Sequence, residues 1–370
     1  MDIAETIIST LSSEAEWSHR ISDFHAKEGA PVVARTPGGF RRVSEEPVTA
    51  DDIEAFLSTS TVTGTDLRAY LRDRGGGFQA SCTLGTTGRL RLSVYEEGGK
   101  SRRIAISMRV LPMEVPELDV LGLPSAAIRM GTEKSKGLLL ITGPTGAGKT
   151  TTLAAILNRI NSSRPAHILT IEDPIEYVLR SRRSLISQRE VGVNVSAFGT
   201  AITDALRQRP DVIAIGEVLD HDTVEAMLRA ADSGHLVIAT MHTRNVDDSI
   251  GRLLGFYTGH EYNQKLALLA SCLIGVVSQA LVPSSDESRY VLATEVLVNN
   301  PASASYIREG KVHMLRNLIR QGRSEGMHTL NQSLAQLVNE RRISPKNAFY
   351  AAYDDAELAQ LTGMPPQRTF

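Results

Sequence analysis

Residues 138–157, LLLITGPTGAGKTTTLAAIL, constrain the fold more than any other stretch of the chain. An apolar run at 138–141 has the length and composition of a buried parallel strand. It breaks into Gly143, Pro144, Thr145, Gly146, Ala147, Gly148, Lys149, Thr150 and Thr151, and resumes with Leu153, Ala154, Ile156 and Leu157 at helical spacing. This is G-x-x-x-x-G-K-[ST] with a strand before it and a helix after it, the context that gives the pattern its physical meaning. The glycines let backbone N–H groups close around a polyphosphate. A helix starting near Lys149 adds its unpaired N–H groups and the positive end of its dipole. Lys149 is then placed to reach β- and γ-phosphates, and the Thr150 hydroxyl to ligate Mg2+. The pattern predicts a nucleoside triphosphate site.

The rest of the chain narrows the partners. With 370 residues, two or three domains are expected. A net charge of −2 with 22% charged residues gives no bulk field toward DNA or acidic lipid, so neither nucleic acid nor direct membrane insertion is expected. The histidines are scattered, and Cys82 and Cys272 form no C-x-x-C pair, so no zinc site is expected and a reducing cytosol is permissible. The first residues, MDIAETIISTLSSEAEW, carry acids where a signal peptide needs a basic start. Residues 266–282 are uncharged, yet they sit at the short end of spanning lengths and include Ser271, Ser278 and Gln279. A buried helix is expected there, in a soluble protein.

Taken in order, residues 1–30 read as an amphipathic helix, with Ile3, Ile7, Ile8 and Leu11 on one face and Trp17 and Ile21 continuing the pattern. Short strands and turns follow over 31–44, punctuated by Pro37, Gly38 and Gly39. Thr49 before Asp51, Asp52 and Glu54 predicts a helix start, and a second helix follows through Leu67 to Leu71. FQASCTL, RLRLSVY and RRIAISMRVL alternate polar and apolar residues as antiparallel strands do. Residues 1–112 therefore predict a small α+β domain with one sheet. Pro112, Pro116 and Pro124 mark 113–136 as an interdomain linker, with a short helix near 125–130. From 137 to 370, strands at 138–141, 167–171, 212–215 and 236–239 alternate with helices, the pattern of a parallel sheet covered on both faces. Helices at 261–280, 302–309, 328–341 and 344–352, one strand at 289–298 and a loose tail at 365–370 complete the reading.

Three stretches place polar residues at strand ends, where doubly wound sheets bind ligands. TIEDPIEY (170–177) carries Glu172, Asp173 and Glu176; PDVIAIGE (210–217) ends in Glu217; SGHLVIATMHT (233–243) has His235 and His242 at its two ends. Hydrolysis of a triphosphate needs a group that orients the attacking water, and Glu217 is the first candidate, Glu176 the second. His242 is a candidate sensor of the γ-phosphate or contact to a neighbouring subunit. For His235 a hydrogen-bonded structural role is an equal alternative.

In this order and spacing GPTGAGKTTTLA, HILTIEDPIEY, SQREVG, ALRQRPDVIAIGE and SGHLVIATMHT resemble the Walker A, Asp box, Walker B and His box of the type II/IV secretion and pilus ATPases. The likeness is to PilT-type retraction ATPases and their type IVB secretion and conjugation relatives. It covers about 135–350 and is faint over 1–110. It implies an α/β fold, a PAS-like α+β N-terminal domain on a RecA-like P-loop ATPase domain, built into a homo-hexamer. It also implies ATP and Mg2+ as cofactors, a cytoplasmic site of action and an inner-membrane platform protein of a pilus or secretion machine as partner. By position, Glu217 is the Walker B glutamate, Glu176 the Asp-box glutamate, and His235 and His242 the His-box pair. Arg207 falls on a motif arginine, and Arg91, Arg103 or Arg109 would be the arginines of the N-terminal domain that face phosphate. The longer, assembly-type members carry a tetracysteine zinc element, which this chain with two cysteines lacks, so the likeness is to the shorter PilT-like branch. Two further departures stand out: GE-x-RD is here Gly216-Glu217-Val218-Leu219-Asp220, and AIRNLIREGK is ASASYIREGK at 302–311.

Overall fold

The computed structural model describes residues 1–13, 21–36, 39–60, 67–85, 88–112 and 114–365. Trp17, Pro37, Gly38 and most of the expected tail, from 366, lie outside the described residues. The chain divides into two compact units, Met1–Glu114 and Val115–Phe370.

In the first unit, α1 (Ile3–Leu11) starts where the Asp2 carboxylate accepts the Glu5 N–H, and buries Ile3 and Ile7. The helix expected over 1–30 stops there. Strand β1 (Asp23–Lys27) follows, because Phe24 and Ala26 alternate with polar neighbours and only the alternate positions are fully buried. β2 (Val33–Thr36) and β3 (Gly39–Arg42) lead to α2 (Ala50–Ser60). There Thr49 and Asp52 exchange hydrogen bonds, 3.1 Å from the Asp52 N–H to Thr49 Oγ1 and 2.8 Å from the Thr49 N–H to Asp52 Oδ2. α3 (Leu67–Asp73), β4 (Gly77–Leu84), β5 (Gly88–Glu97) and β6 (Arg103–Leu111) complete the unit. The sheet is antiparallel in the order β3-β2-β1-β6-β5-β4, and Phe24, Leu90, Leu92, Ile106 and Met108 form its core with Ile53, Leu57 and Leu71 of the helices.

The second unit begins earlier than the linker reading allowed. Leu118, Leu123, Ala127 and Met130, the last two on α4 (Ser125–Thr132), are buried in a core shared with Leu139, Ile141, Leu153 and Ile156. Prolines here shape a packed segment, and the strand after them, β7 (Gly137–Thr142), is buried at every residue. α5 (Lys149–Ser163), β8 (His167–Glu172), β9 (Leu185–Glu190), α6 (Phe198–Ala205), β10 (Val212–Ile215), α7 (His221–Asp232), β11 (Leu236–Met241), α8 (Val246–Leu254) and α9 (Gly259–Cys272) follow. Next comes β12 (Leu273–Pro283), where a helix to 280 was expected. An apolar run of this length does not distinguish the two by periodicity. Glycine decides locally: a Cβ on Gly275 would lie 2.3 Å from Leu297 O on the paired strand and 2.4 Å from Met130 Sδ on α4, so the position leaves no room for a side chain. β13 (Tyr290–Val298) pairs antiparallel with β12, and the sheet runs β13-β12-β7-β11-β10-β8-β9, parallel except at β13. Edge strand β9 (LISQRE) is half polar and carried no strand signal. Among the described residues no helix is long and apolar enough to cross a membrane.

The chain ends in α10 (Pro301–Arg308), α11 (Leu315–Gln321), α12 (Leu330–Asn339), α13 (Pro345–Ala351) and α14 (Asp355–Thr362). Glu295 on β13 joins this region to the sheet. Its buried carboxylate accepts the Val246 N–H at 2.9 Å, at the start of α8, and the Leu330 N–H at the start of α12. Burial pushes its carboxyl up to about 7, and the neighbouring Asp247 carboxylate adds to the effect while the N–H donors and Arg316 oppose it. The folded state therefore holds this proton more tightly than the unfolded chain, so stability falls as pH rises from about 4.5 to about 7. Glu295→Gln should flatten that part of the stability–pH curve, a difference on the order of 3 kcal/mol. Urea unfolding across this pH range checks it.

Candidate nucleotide-binding site

The site grows from the C-terminal end of β7. Gly143 has φ 148°, and a Cβ there would meet Gln279 O at 2.5 Å and the Ala147 Cβ at 2.9 Å. The turn then exposes Pro144, Thr145 and Gly146 and buries Ala147. Gly148, left-handed at φ 82°, caps α5 without a side-chain bond, so the first-turn N–H groups stay available to an anion. Lys149 is buried, and its Nζ donates to Gly143 O (2.9 Å) and Pro144 O (3.0 Å). Burial lowers its pKa, while the carboxylates of Glu217 and Glu176 pull the other way.

His242, just past β11, closes the far side of the loop. Its Nδ1 lies 3.3 Å from both Lys149 Nζ and Thr145 Oγ1. Lysine can only donate, so the neutral ring carries its proton on Nε2, 3.0 Å from Glu217 Oε1. Lys149, His242 and Glu217 thus form one connected chain from the loop to the end of β10. Glu176 acts on Lys149 through its charge, and its neighbour Tyr177 bonds Thr151 Oγ1 at 3.1 Å. Glu172 is a framework group: it is buried and accepts from Thr170 Oγ1 (2.6 Å) and Gln188 Nε2 (3.0 Å).

Not every candidate gathers here. His235 precedes β11, so the six residues of that strand, roughly 20 Å, separate it from His242. It bonds Ser233 Oγ at 3.0 Å. Arg207 lies on the connection entering β10, again at the opposite end of the sheet, with its Nη1 3.7 Å from Asp204 Oδ1. Arg91, Arg103 and Arg109 stand on β5 and β6 of the first unit, where Arg91 donates to Gln79 (2.7 Å) and Arg109 to Asp23 (3.3 Å). Gln279 was missed altogether because β12 was read as helix. Its carbonyl abuts Gly143 and its Nε2 donates to Thr152 Oγ1 at 2.8 Å.

The residues fit a Mg2+–nucleotide pair. Among the described residues no group of three or more His, Cys, Asp or Glu side chains makes a metal cage. Mg2+ does not require one, since it is held by one or two protein oxygens together with phosphates and water. Thr150, half-buried on the first turn of α5, supplies such an oxygen.

A parallel sheet with a glycine loop on a central strand, a helix starting from that loop and a glutamate at a neighbouring strand end define a RecA-like P-loop protein. Residues 97–356 match the family model described as type II/IV secretion system protein, and the chain belongs to that family. It is 37% identical over 325 residues to a twitching motility protein of Neisseria gonorrhoeae, covering 88% of this chain and 85% of the relative. It is 34% identical over 350 residues to the type IV pilus retraction ATPase PilT of Pseudomonas aeruginosa, covering 94% and 97%. The crystal structure of the pilus retraction motor PilT with bound ADP superposes with a TM-score of 0.86 at 35% identity, over 97% of this chain and 99% of that one. The architecture is therefore a RecA-like ATPase domain preceded by a smaller PAS-like domain.

Gly143→Ala should force β12 away from the loop and weaken nucleotide binding about 5- to 150-fold, the factor given by ~1–3 kcal/mol of overpacking. Gly251→Ala, on α8 with open space around it, should leave binding unchanged. Equilibrium titration of both variants with a fluorescent ATP analogue checks the pair.

Proposed function

We propose that the chain is a Mg2+-dependent ATPase that works as a homo-hexameric motor, powering a type IV pilus or a type IVB secretion or conjugation machine. It would act at the cytoplasmic face of the inner membrane, through a platform protein of that machine. The observation that carries this reading is the chain from buried Lys149 through His242 to Glu217. It sets a cation, a polar ring and a carboxylate around the place where a γ-phosphate would sit. Lys149 exchanges the carbonyls of Gly143 and Pro144 for phosphate oxygens, a change of acceptors that keeps the ammonium paired. Glu217 orients the attacking water, and His242, bonded to both, responds to the presence of the γ-phosphate. Glu176 supports the same region from the β8 side. Thr150 would hold Mg2+ together with the nucleotide, and the ion would neutralise charge at the phosphates. His235, Arg207, Arg103 and Arg109 are assigned to contacts with a neighbouring subunit or with phosphate presented by it.

One observation favours a second reading. Leu219, two residues past Glu217, is 49% exposed and apolar where the family pattern has an arginine. Without that cation the ring would bind ATP and scarcely hydrolyse it, acting as a nucleotide-gated interaction module. The ATPase rate per subunit, measured against protein concentration, separates the readings. A rate that climbs with concentration, and that Glu217→Gln lowers by about 10²–10⁴, supports the motor. A rate equal to that control at every concentration supports the gated module, and turnover above the control that Lys149→Ala leaves unchanged would overturn both.

A further inference from the structure

Parallel neighbours need a crossover, usually a helix. Between β8 and β9, among the described residues, the connection 173–184 holds neither helix nor strand. Without a backbone ladder of its own, it must find partners for its N–H and C=O groups elsewhere. Its second half takes them from α5: Asn161, fully buried, donates to Arg180 O at 2.8 Å and accepts the Arg182 N–H at 3.0 Å. Its first half, which carries Glu176, takes them from side chains of β9. Gln188 Oε1 accepts the Leu179 N–H at 2.7 Å, and Gln188 Nε2 donates to Tyr177 O at 2.9 Å. Glu190 Oε2 accepts the Ile175 N–H at 3.0 Å.

These bonds give the polar half of β9 a purpose. In the ladder Gln188 pairs with Thr170 and Glu190 with Glu172, so all four share one face. It is the face that α5 covers, because Ile168, two residues before Thr170, lies in the core of Leu153 and Ile156. Glu172 fixes Gln188 in turn, accepting from the same Nε2 at 3.0 Å. Two oxygens before the amide nitrogen and an N–H before the amide oxygen leave Gln188 one orientation. Ile175 and Tyr177, the residues on either side of Glu176, are thus both bonded to β9. Tyr177 also meets Thr151 on the first turn of α5.

We propose that Gln188 and Glu190 are positioning residues for hydrolysis: they hold the 175–179 segment so that the Glu176 carboxylate stays beside Lys149. The inference rests on the reading of Glu176 as a group of that site, where its charge already acts on the ammonium. A shift of ~1 Å in a placed group can cost on the order of 10²-fold in rate. Phosphate binding rests on the glycine loop and Lys149, which neither side chain of β9 touches.

The test is a double-mutant cycle on the full chain, read as kcat and as equilibrium affinity for ATP. Gln188→Met and Glu190→Met fill the same space without these hydrogen bonds. Each should lower kcat about 10- to 100-fold and leave ATP affinity unchanged. Glu176→Gln should lower kcat as well, and adding Gln188→Met to it should lower kcat no further. Ser187→Ala, on the opposite face of β9 and bonded to His167, should keep parental kcat. Parental kcat in Gln188→Met overturns the positioning role. So do losses that add in the double variant, and so does an ATP affinity that falls together with kcat, since either marks a general structural role. Parental kcat in Glu176→Gln removes the positioning role and leaves the motor reading, which Glu217→Gln tests by itself. A parent no faster than Glu217→Gln removes both.

Discussion

Backbone crowding at Gly143 is the constraint on which the site depends. The carbonyl of Gln279 occupies the volume a side chain would need, so β12 and the glycine loop are packed main chain against main chain. β12 also holds the opposite wall, because Ser278 Oγ donates to Arg244 O at 2.7 Å, two residues beyond His242. One strand therefore braces both the loop that carries Lys149 and the loop that carries His242. Its other edge is paired along its length with β13, which resists independent movement of either wall.

The electrostatics follow from that bracing. A buried ammonium is costly unless every proton finds an acceptor, and Lys149 has two carbonyls and an imidazole nitrogen within 3.3 Å. The neighbouring carboxylates, Glu217 and Glu176, favour the charged form. An incoming polyanion meets these acids as well as the helix terminus, so its binding depends on cations placed against it. This is why the apolar Leu219 matters, half-exposed within two residues of Glu217.

Much of this was legible in the sequence, and the reasons for the rest are physical. The P-loop was readable because its residue types are forced by geometry at Gly143 and Gly148, and its flanking periodicities change from strand to helix. β10 and β11 were readable as short apolar runs ending in Glu217 and His242. β12 was not, since a run buried on both faces has no polar face to reveal its period, and Gln279 was lost with it. β1 was absorbed into a helix because Ile21 and the residues after it prolong an apolar pattern begun by α1. For His235 and Arg207, motif position could not say which end of the sheet a residue occupies. Parallel pairing places them away from Lys149.

Glu295 has a mechanical meaning beyond its proton. A single carboxylate serves the first turns of two helices that are far apart in the chain, α8 after the His242 loop and α12 in the C-terminal region. Separating them would strand a buried acceptor or a buried donor, so the starts of the two helices are held to one another through a single side chain. The connection from the β11 end of the sheet to the helices beyond residue 330 thus runs through one carboxylate and bypasses the intervening chain.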